Sequence, residues 1–123
     1  MNEFVKIICL ALLSACIDAF WLFLQSGWFS QIVQDIQTDR PMKLRLWGGI
    51  PVYLAAGYLV TQMPSAPRAF LAGLTSYAIY DFTQIATLDR YPLSFALADS
   101  SWGGVLFALT WWVGNKVGIL RVN

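Results

Sequence analysis

The chain has 123 residues, of which 58% are apolar and only 12% charged, whereas soluble globular domains carry roughly 25% charged residues. This composition excludes an ordinary water-facing domain and favours a lipid environment. The net charge is +1 and the eight basic residues are scattered, so no basic stripe predicts binding to nucleic acid. The chain has no histidine, which excludes histidine-based catalytic triads, metal sites and proton shuttles.

Four mostly apolar runs approach the roughly 20 residues that a helix needs to cross a bilayer core. They are Val5 to Gln25, Leu46 to Met63, Ala69 to Leu88 and Leu93 to Asn115. Turn-forming residues follow or precede each run, namely Ser26-Gly27, Pro64-Ser65-Ala66-Pro67 and Asp89-Arg90-Tyr91-Pro92. The pattern predicts one domain over residues 1–123, an all-α integral membrane bundle of four transmembrane helices with antiparallel up-down topology.

The segment from Ser30 to Arg45 is the only long loop in this arrangement. Its apolar residues Ile32, Val33 and Ile36 recur at helical spacing among polar residues. Two interpretations stay open. The segment is either a short amphipathic helix that lies along the membrane interface or a plain loop.

The N-terminal run has two features of processed segments. Lys6 followed by apolar residues is typical of a signal peptide, and Leu13-Ser14-Ala15-Cys16 matches the box that precedes a lipidated cysteine. A cleavable signal gives way to polar sequence, whereas here the apolar run continues to Leu24. We therefore interpret this run as a retained span with Cys16 inside it. Cys9 lies on the same helix, too far from Cys16 along the helix axis for a disulfide.

The basic residues do not decide the orientation in the membrane. Four of them fall on the side of the termini and four on the opposite side, so the positive-inside rule gives no preference. The lipid bilayer is the expected partner of the whole chain. A bundle this small often needs copies of itself to enclose a pathway, so a homo-oligomer or another membrane protein partner also stays open.

Three aspartates are the most informative residues of the sequence. Asp18, Asp81 and Asp99 lie in the first, third and fourth predicted spans, where each costs about 2.5–3.5 kcal/mol at a helix centre. At 1.5 Å per residue they lie roughly 12, 11 and 9 Å from the same membrane side. They could therefore converge on one polar pocket. No lysine or arginine lies in the middle of any span, so the carboxyl groups must be protonated, share protons or hold a cation.

Polar and aromatic residues on the same helix faces extend this candidate site. Residues three or four positions away share a helix face, and an Asp-x-x-Trp element occurs in the first and fourth spans. We treat that short element as a coincidence rather than an internal repeat. The candidate ligand- or proton-binding residues are Asp18, Asp81, Asp99, Tyr77, Tyr80, Gln84, Trp21 and Trp102.

The same regions carry a resemblance to a known family. Tyr80-Asp81-Phe82-Thr83-Gln84-Ile85-Ala86-Thr87-Leu88, Asp99-Ser100-Ser101-Trp102-Gly103 and Asp18-Ala19-Phe20-Trp21-Leu22 resemble motifs of the predicted membrane proteins called domain of unknown function 2177. Gln84 stands where the family typically has asparagine, and Phe82 where it has leucine. The resemblance covers most of the chain and implies a compact four-helix membrane fold, without a settled biochemical activity.

Three classes of function follow, in order of preference. The first is transport or ligand binding, in which the aspartates hold a proton, a cation or an amine-bearing solute. The second is a structural or accessory scaffold of the membrane, supporting lipid-modifying enzymes, for example. A membrane enzyme ranks last because no nucleophile–base pair is visible. We expect no catalytic residues, no metal and no cofactor.

Overall fold

The part of the chain that the structure describes is helical and contains no β-strand. A computed structural model describes residues 1–38 and 46–120. Helix α1 is Glu3–Ile36, α2 is Gly49–Thr61 after a 3-10 turn at Leu46–Gly48, α3 is Ala66–Thr87 and α4 is Leu93–Lys116. The prediction of an all-α bundle is confirmed.

Local chemistry explains where the helices begin. The Asn2 side chain accepts a hydrogen bond from the backbone N–H of Val5 at 2.8 Å, which caps α1. Ser65 caps α3 in the same way by accepting from the backbone N–H of Arg68 at 3.3 Å. Both caps pair a backbone donor that has no partner within its own helix. Pro92 precedes the first residue of α4 and provides no donor that needs pairing.

Helix α1 is longer than the sequence predicts. Ser26 and Gly27 do not end it, and the helix continues without interruption to Ile36. The prediction of a separate interfacial helix or loop at Ile32, Val33 and Ile36 is therefore wrong for these residues. Ile32 is buried beside Phe95 of α4, and such packing carries a helix through residues of low intrinsic propensity. The rest of that predicted loop, residues 39–45, lies outside the described residues.

Helices α1 and α2 contact each other in opposite chain order. Gln62, just after α2, donates to Glu3 at 3.4 Å, and Tyr53 near the start of α2 reaches Asp18. Between these contacts, a Cβ atom on Gly57 would lie 2.5 Å from the carbonyl oxygen of Ile7. The glycine therefore permits a close backbone approach that no larger residue allows.

Helices α3 and α4 make the same kind of close contact. A Cβ atom on Gly73 would lie 2.1 Å from the carbonyl oxygen of Gly103, and one on Gly103 would lie 2.3 Å from the Tyr77 ring. Further along, Asp81 of α3 meets Ser100 of α4. The contacts again run in opposite order along the two helices. Small residues thus set the distance between α3 and α4.

Two apolar clusters fill the interior and leave a polar layer between them. The first cluster is centred on Leu10, Val60 and Leu106. The second consists of Ile32, Tyr91, Phe95 and Ala96. Along α4, the second cluster precedes Asp99 and the first follows it. The polar residues of the candidate site lie in this intermediate layer.

The outer surface of the helices is apolar. In the most apolar stretch of α1 only 22% of the residues are buried, and Phe23 is 85% exposed. A core helix of a soluble protein would be mostly buried instead. Helices α1 and α4 have the length and composition of a membrane span, whereas α2 has 13 residues.

Candidate functional site

All three aspartates are withdrawn from the surface. Asp81 is fully buried, and Asp18 and Asp99 are 4% and 9% exposed. They come from α1, α3 and α4. A buried ionisable group costs free energy unless it is hydrogen-bonded or paired. The partners of each carboxyl group therefore decide what the layer can do.

Two tryptophans cross between α1 and α4 to reach the aspartates. Trp21 of α1 donates its indole N–H to Asp99 at 3.0 Å, and Trp102 of α4 donates to Asp18 at 2.7 Å. The two indole rings stack, with centroids 5.8 Å apart and planes 18° apart. We call these four residues the crossed clasp. Each tryptophan shares a helix face with one aspartate but binds the aspartate of the other helix.

Asp18 has a second partner on α2. The Tyr53 hydroxyl donates to the other carboxylate oxygen of Asp18. Tyr53 and Trp102 therefore hold both oxygens of Asp18 from two different helices. Asp18 accordingly connects α1 with α2 and with α4.

Asp81 is held on the other side of the layer. Tyr91, between α3 and α4, donates to it at 2.7 Å, and Ser100 of α4 donates at 3.2 Å. Burial, followed by the hydrogen bond to Asp81, raises the pKa of Tyr91 above its usual value, so its hydroxyl keeps the proton that it donates. Ser100 directly follows Asp99 on α4, so its bond to Asp81 brings Asp81 into the same layer as Asp99.

A pocket of about 180 Å³ opens beside this layer, and we call it the aspartate pocket. Its polar lining is formed by Asp18, Asp99, Gln25, Tyr77 and Tyr80. Apolar and aromatic side chains complete the wall: Trp21, Leu22, Phe29 and Phe95. None of the described residues in the lining is a lysine or an arginine. Within the described part of the chain, two carboxyl groups therefore share one small pocket without a basic partner.

The candidate residues are not all gathered in this pocket. Asp18, Asp99, Trp21, Tyr77 and Tyr80 line it. Trp102 lies outside the lining and contacts two of its residues, Asp18 and Trp21. Asp81 also lies outside the lining and bonds to Tyr91 and Ser100. Gln84 lines a second pocket of about 190 Å³, which shares Tyr80 and Phe29 with the first. Tyr80 is half exposed.

Neutral hydrogen-bond donors hold the carboxyl groups of the layer. Within residues 1–38 and 46–120, no group of three or more carboxylate, cysteine or histidine side chains is arranged to hold a metal ion. Each aspartate accepts from neutral tyrosine, tryptophan or serine donors. Such donors solvate a carboxylate without neutralising it. The remaining lone pairs of these carboxyl oxygens can accept from further donors.

Four residues that sequence reasoning did not select contribute to the layer, namely Gln25, Tyr53, Tyr91 and Ser100. Gln25 could have been found because it lies two helical turns after Asp18 and shares its face. Tyr53 and Tyr91 could not. Helix α2 carries no acidic residue, and only the packing of α3 on α4 brings Tyr91 to Asp81.

Comparison with known proteins identifies the family but adds no relative. The family model DUF2177, described as "Predicted membrane protein", matches residues 4–115. No curated protein and no solved structure matches the chain. The match covers nearly the whole sequence, including all three aspartates and both tryptophans of the clasp. The chain belongs to the DUF2177 family of predicted membrane proteins.

Proposed function

We propose that this chain is a multi-pass membrane protein with four up-down spans, and that its aspartate pocket binds a positively charged group for transport or ligand binding. One observation carries the proposal. Asp18 and Asp99 come from different helices, are both buried, and line the same small pocket, in which none of the described residues is basic. Buried carboxyl groups in a membrane protein mark ion, proton or substrate sites by default.

Helix lengths and contacts support four spans. Helix α3 has 22 residues, about 33 Å at 1.5 Å each, which is enough for a bilayer core of about 30 Å. Its hydropathy is lowered by Asp81 and by hydroxyl groups such as that of Thr75, which bonds to its own helix. Helix α2 is short, but the turn at Leu46–Gly48 extends it. The opposite order of contacts between neighbouring helices supports the up-down arrangement.

The donors around the carboxyl groups support binding of a positive charge. Among the described residues, Asp18 accepts from Tyr53 and Trp102, and Asp99 accepts from Trp21. All three donors are neutral, so none of them brings a positive charge to the carboxyl groups. A cation in the pocket would therefore meet two carboxyl groups whose remaining lone pairs can accept from it.

A structural role for the aspartates is the second candidate, and one observation favours it. Asp18 alone connects α1, α2 and α4 through Tyr53 and Trp102. Hydrogen bonds of this kind are worth about 0.6 kcal/mol on average between membrane helices. That gain is small against the insertion cost of about 2.5–3.5 kcal/mol per aspartate. We therefore rank the scaffold second.

The test uses purified protein in detergent micelles. Binding of radiolabelled methylammonium, rubidium and sodium is measured, together with proton release reported by a pH indicator dye. We expect at least one of these cations to bind, with loss of binding in Asp18→Asn and Asp99→Asn. Asp89→Asn is the matched control because Asp89 is exposed after α3, and it should bind normally. If no cation binds and the two variants only lower the unfolding temperature, the scaffold takes the place of the binding site.

A further inference from the structure

Gln25 lines the aspartate pocket, and its buried amide oxygen has no donor among the described residues. Gln25 is 8% exposed and lines the pocket together with Asp18 and Asp99. No described residue donates to its Oε1 atom. Leaving a buried acceptor unpaired costs free energy. A group that brings an N–H or O–H donor into the pocket would remove this cost.

The acceptors on the pocket wall favour a ligand with several hydrogen-bond donors and a positive charge. Asp18 and Asp99 each keep accepting capacity beyond the bonds from Trp102, Tyr53 and Trp21. Gln25 adds a third acceptor on the same wall. An ammonium group has three N–H donors and no acceptor. It matches a wall of two carboxyl groups and one amide oxygen.

Size and wall chemistry distinguish an organic ammonium from a metal ion. A cavity of about 150 Å³ holds a benzene molecule, so the aspartate pocket, of about 180 Å³, suits an amine of roughly six heavy atoms. Calcium would require about six to eight oxygen ligands, more than this wall offers. Trp21, Phe29 and Phe95 present aromatic surface, which attracts an organic cation and covers its carbon atoms.

We propose that the aspartate pocket binds a small primary ammonium compound, with Asp18 and Asp99 facing its charge and Gln25 accepting one of its N–H bonds. The proposal rests on the proposed function and names the ligand class of that site. The carbon chain of the ligand lies against the aromatic wall. Its three N–H donors distinguish it from quaternary ammonium ions and from metal ions.

The experiment compares two cations of similar size by calorimetric titration of the purified chain. n-Pentylammonium has three N–H donors, whereas tetramethylammonium has none. We expect n-pentylammonium to bind more tightly to the unmodified protein. Gln25→Leu should weaken its binding roughly tenfold, because the variant removes the oxygen that accepts an N–H bond from the charged group. The same variant should leave the binding of tetramethylammonium nearly unchanged.

Two controls keep the outcomes separate. Gln31→Leu removes a glutamine that is exposed on α1 and bonds to Asp35, and it should not change the binding of either cation. If both cations bind equally and Gln25→Leu changes the affinity of neither, the ligand does not donate to Gln25 and the inference is overturned. Rubidium or proton binding that depends on Asp18 and Asp99 would then still support the proposed function. If no cation depends on these aspartates, both proposals fail.

Discussion

The indole rings of Trp21 and Trp102 stack 5.8 Å apart across the contact between α1 and α4. Each indole N–H also donates to an aspartate of the other helix: Trp21 donates to Asp99, and Trp102 donates to Asp18. In both helices the aspartate precedes the tryptophan by three residues. Two helices that contact each other in opposite chain order and carry the same Asp-x-x-Trp element form such a crossed pair. The element therefore has a structural meaning that its short length alone does not establish.

The crossed clasp predicts that each indole N–H stabilises the fold. Trp21→Phe and Trp102→Phe keep most of the ring but remove one donor each. A hydrogen bond between membrane helices contributes about 0.6 kcal/mol on average and about 1.7 kcal/mol at most. We expect each variant to lower the free energy of unfolding by about that amount, measured in detergent micelles. Trp47→Phe is the control because Trp47 is 72% exposed, and its stability should stay unchanged.

The two halves of the clasp should also be coupled. Neighbouring residues of one hydrogen-bonded network show interaction energies of about 0.5–3 kcal/mol. We therefore expect the double variant of Trp21 and Trp102 to differ from the sum of the single variants. The measurement is a double-mutant cycle on the free energy of unfolding. Strict additivity would mean that the stacked rings act independently.

Helix periodicity explains how much of this layer could be predicted. The rise per residue places Asp18, Asp81 and Asp99 at similar depths without knowledge of packing. The end of α3 and the start of α4 also follow from local turn residues such as Pro92. Rotation of each helix about its axis decides the hydrogen-bond partners, and a single sequence carries little information about it. Whether the layer binds a ligand stays a prediction.

The errors of the sequence-based prediction have one physical origin. Ser26 and Gly27 are typical of a helix end, yet α1 continues to Ile36. Phe95 of α4 contacts the rings of Trp28 and Phe29 at centroid distances of 4.9 and 5.3 Å. These contacts stabilise the last turns of α1 against the low propensity of glycine. Long-range packing of this kind overrides local signals.

The glycine contact between α3 and α4 predicts a large difference between two alanine substitutions. Gly73→Ala would bring a Cβ atom to 2.1 Å from the Gly103 carbonyl oxygen, so the backbones must separate. We expect a loss of about 1–3 kcal/mol or more in the free energy of unfolding. Gly27→Ala meets no atom within 4 Å and should gain about 0.5–1 kcal/mol. Equal stability of the two variants would mean that α3 and α4 do not approach at Gly73.

The bond from Tyr91 to Asp81 predicts a stability that depends on alkaline pH. The folded-state pKa of Tyr91 lies above its usual value, which is about 10 in the unfolded chain. The resulting stabilisation is complete below about pH 10 and is lost as the pH rises through the folded-state pKa. We expect Tyr91→Phe to be less stable than the unmodified protein at pH 7. The difference should narrow above about pH 10, as measured by unfolding temperature. A constant difference from pH 7 to 11 would contradict the prediction.

Four up-down spans predict that the turn between α2 and α3 and the turn between α3 and α4 face opposite sides of the membrane. Pro64 lies between α2 and α3, and Asp89 lies between α3 and α4. Both residues are exposed.

A labelling experiment tests this arrangement. In a protein whose native Cys9 and Cys16 are replaced by alanine, Pro64→Cys and Asp89→Cys introduce one thiol each. A maleimide that cannot cross membranes should label only one of the two variants in sealed, uniformly oriented vesicles. The other should react after the vesicles are opened. Labelling of both thiols from the outside would mean that α3 does not cross the bilayer. The proposal of four spans, with the aspartate layer inside the membrane, would then fail.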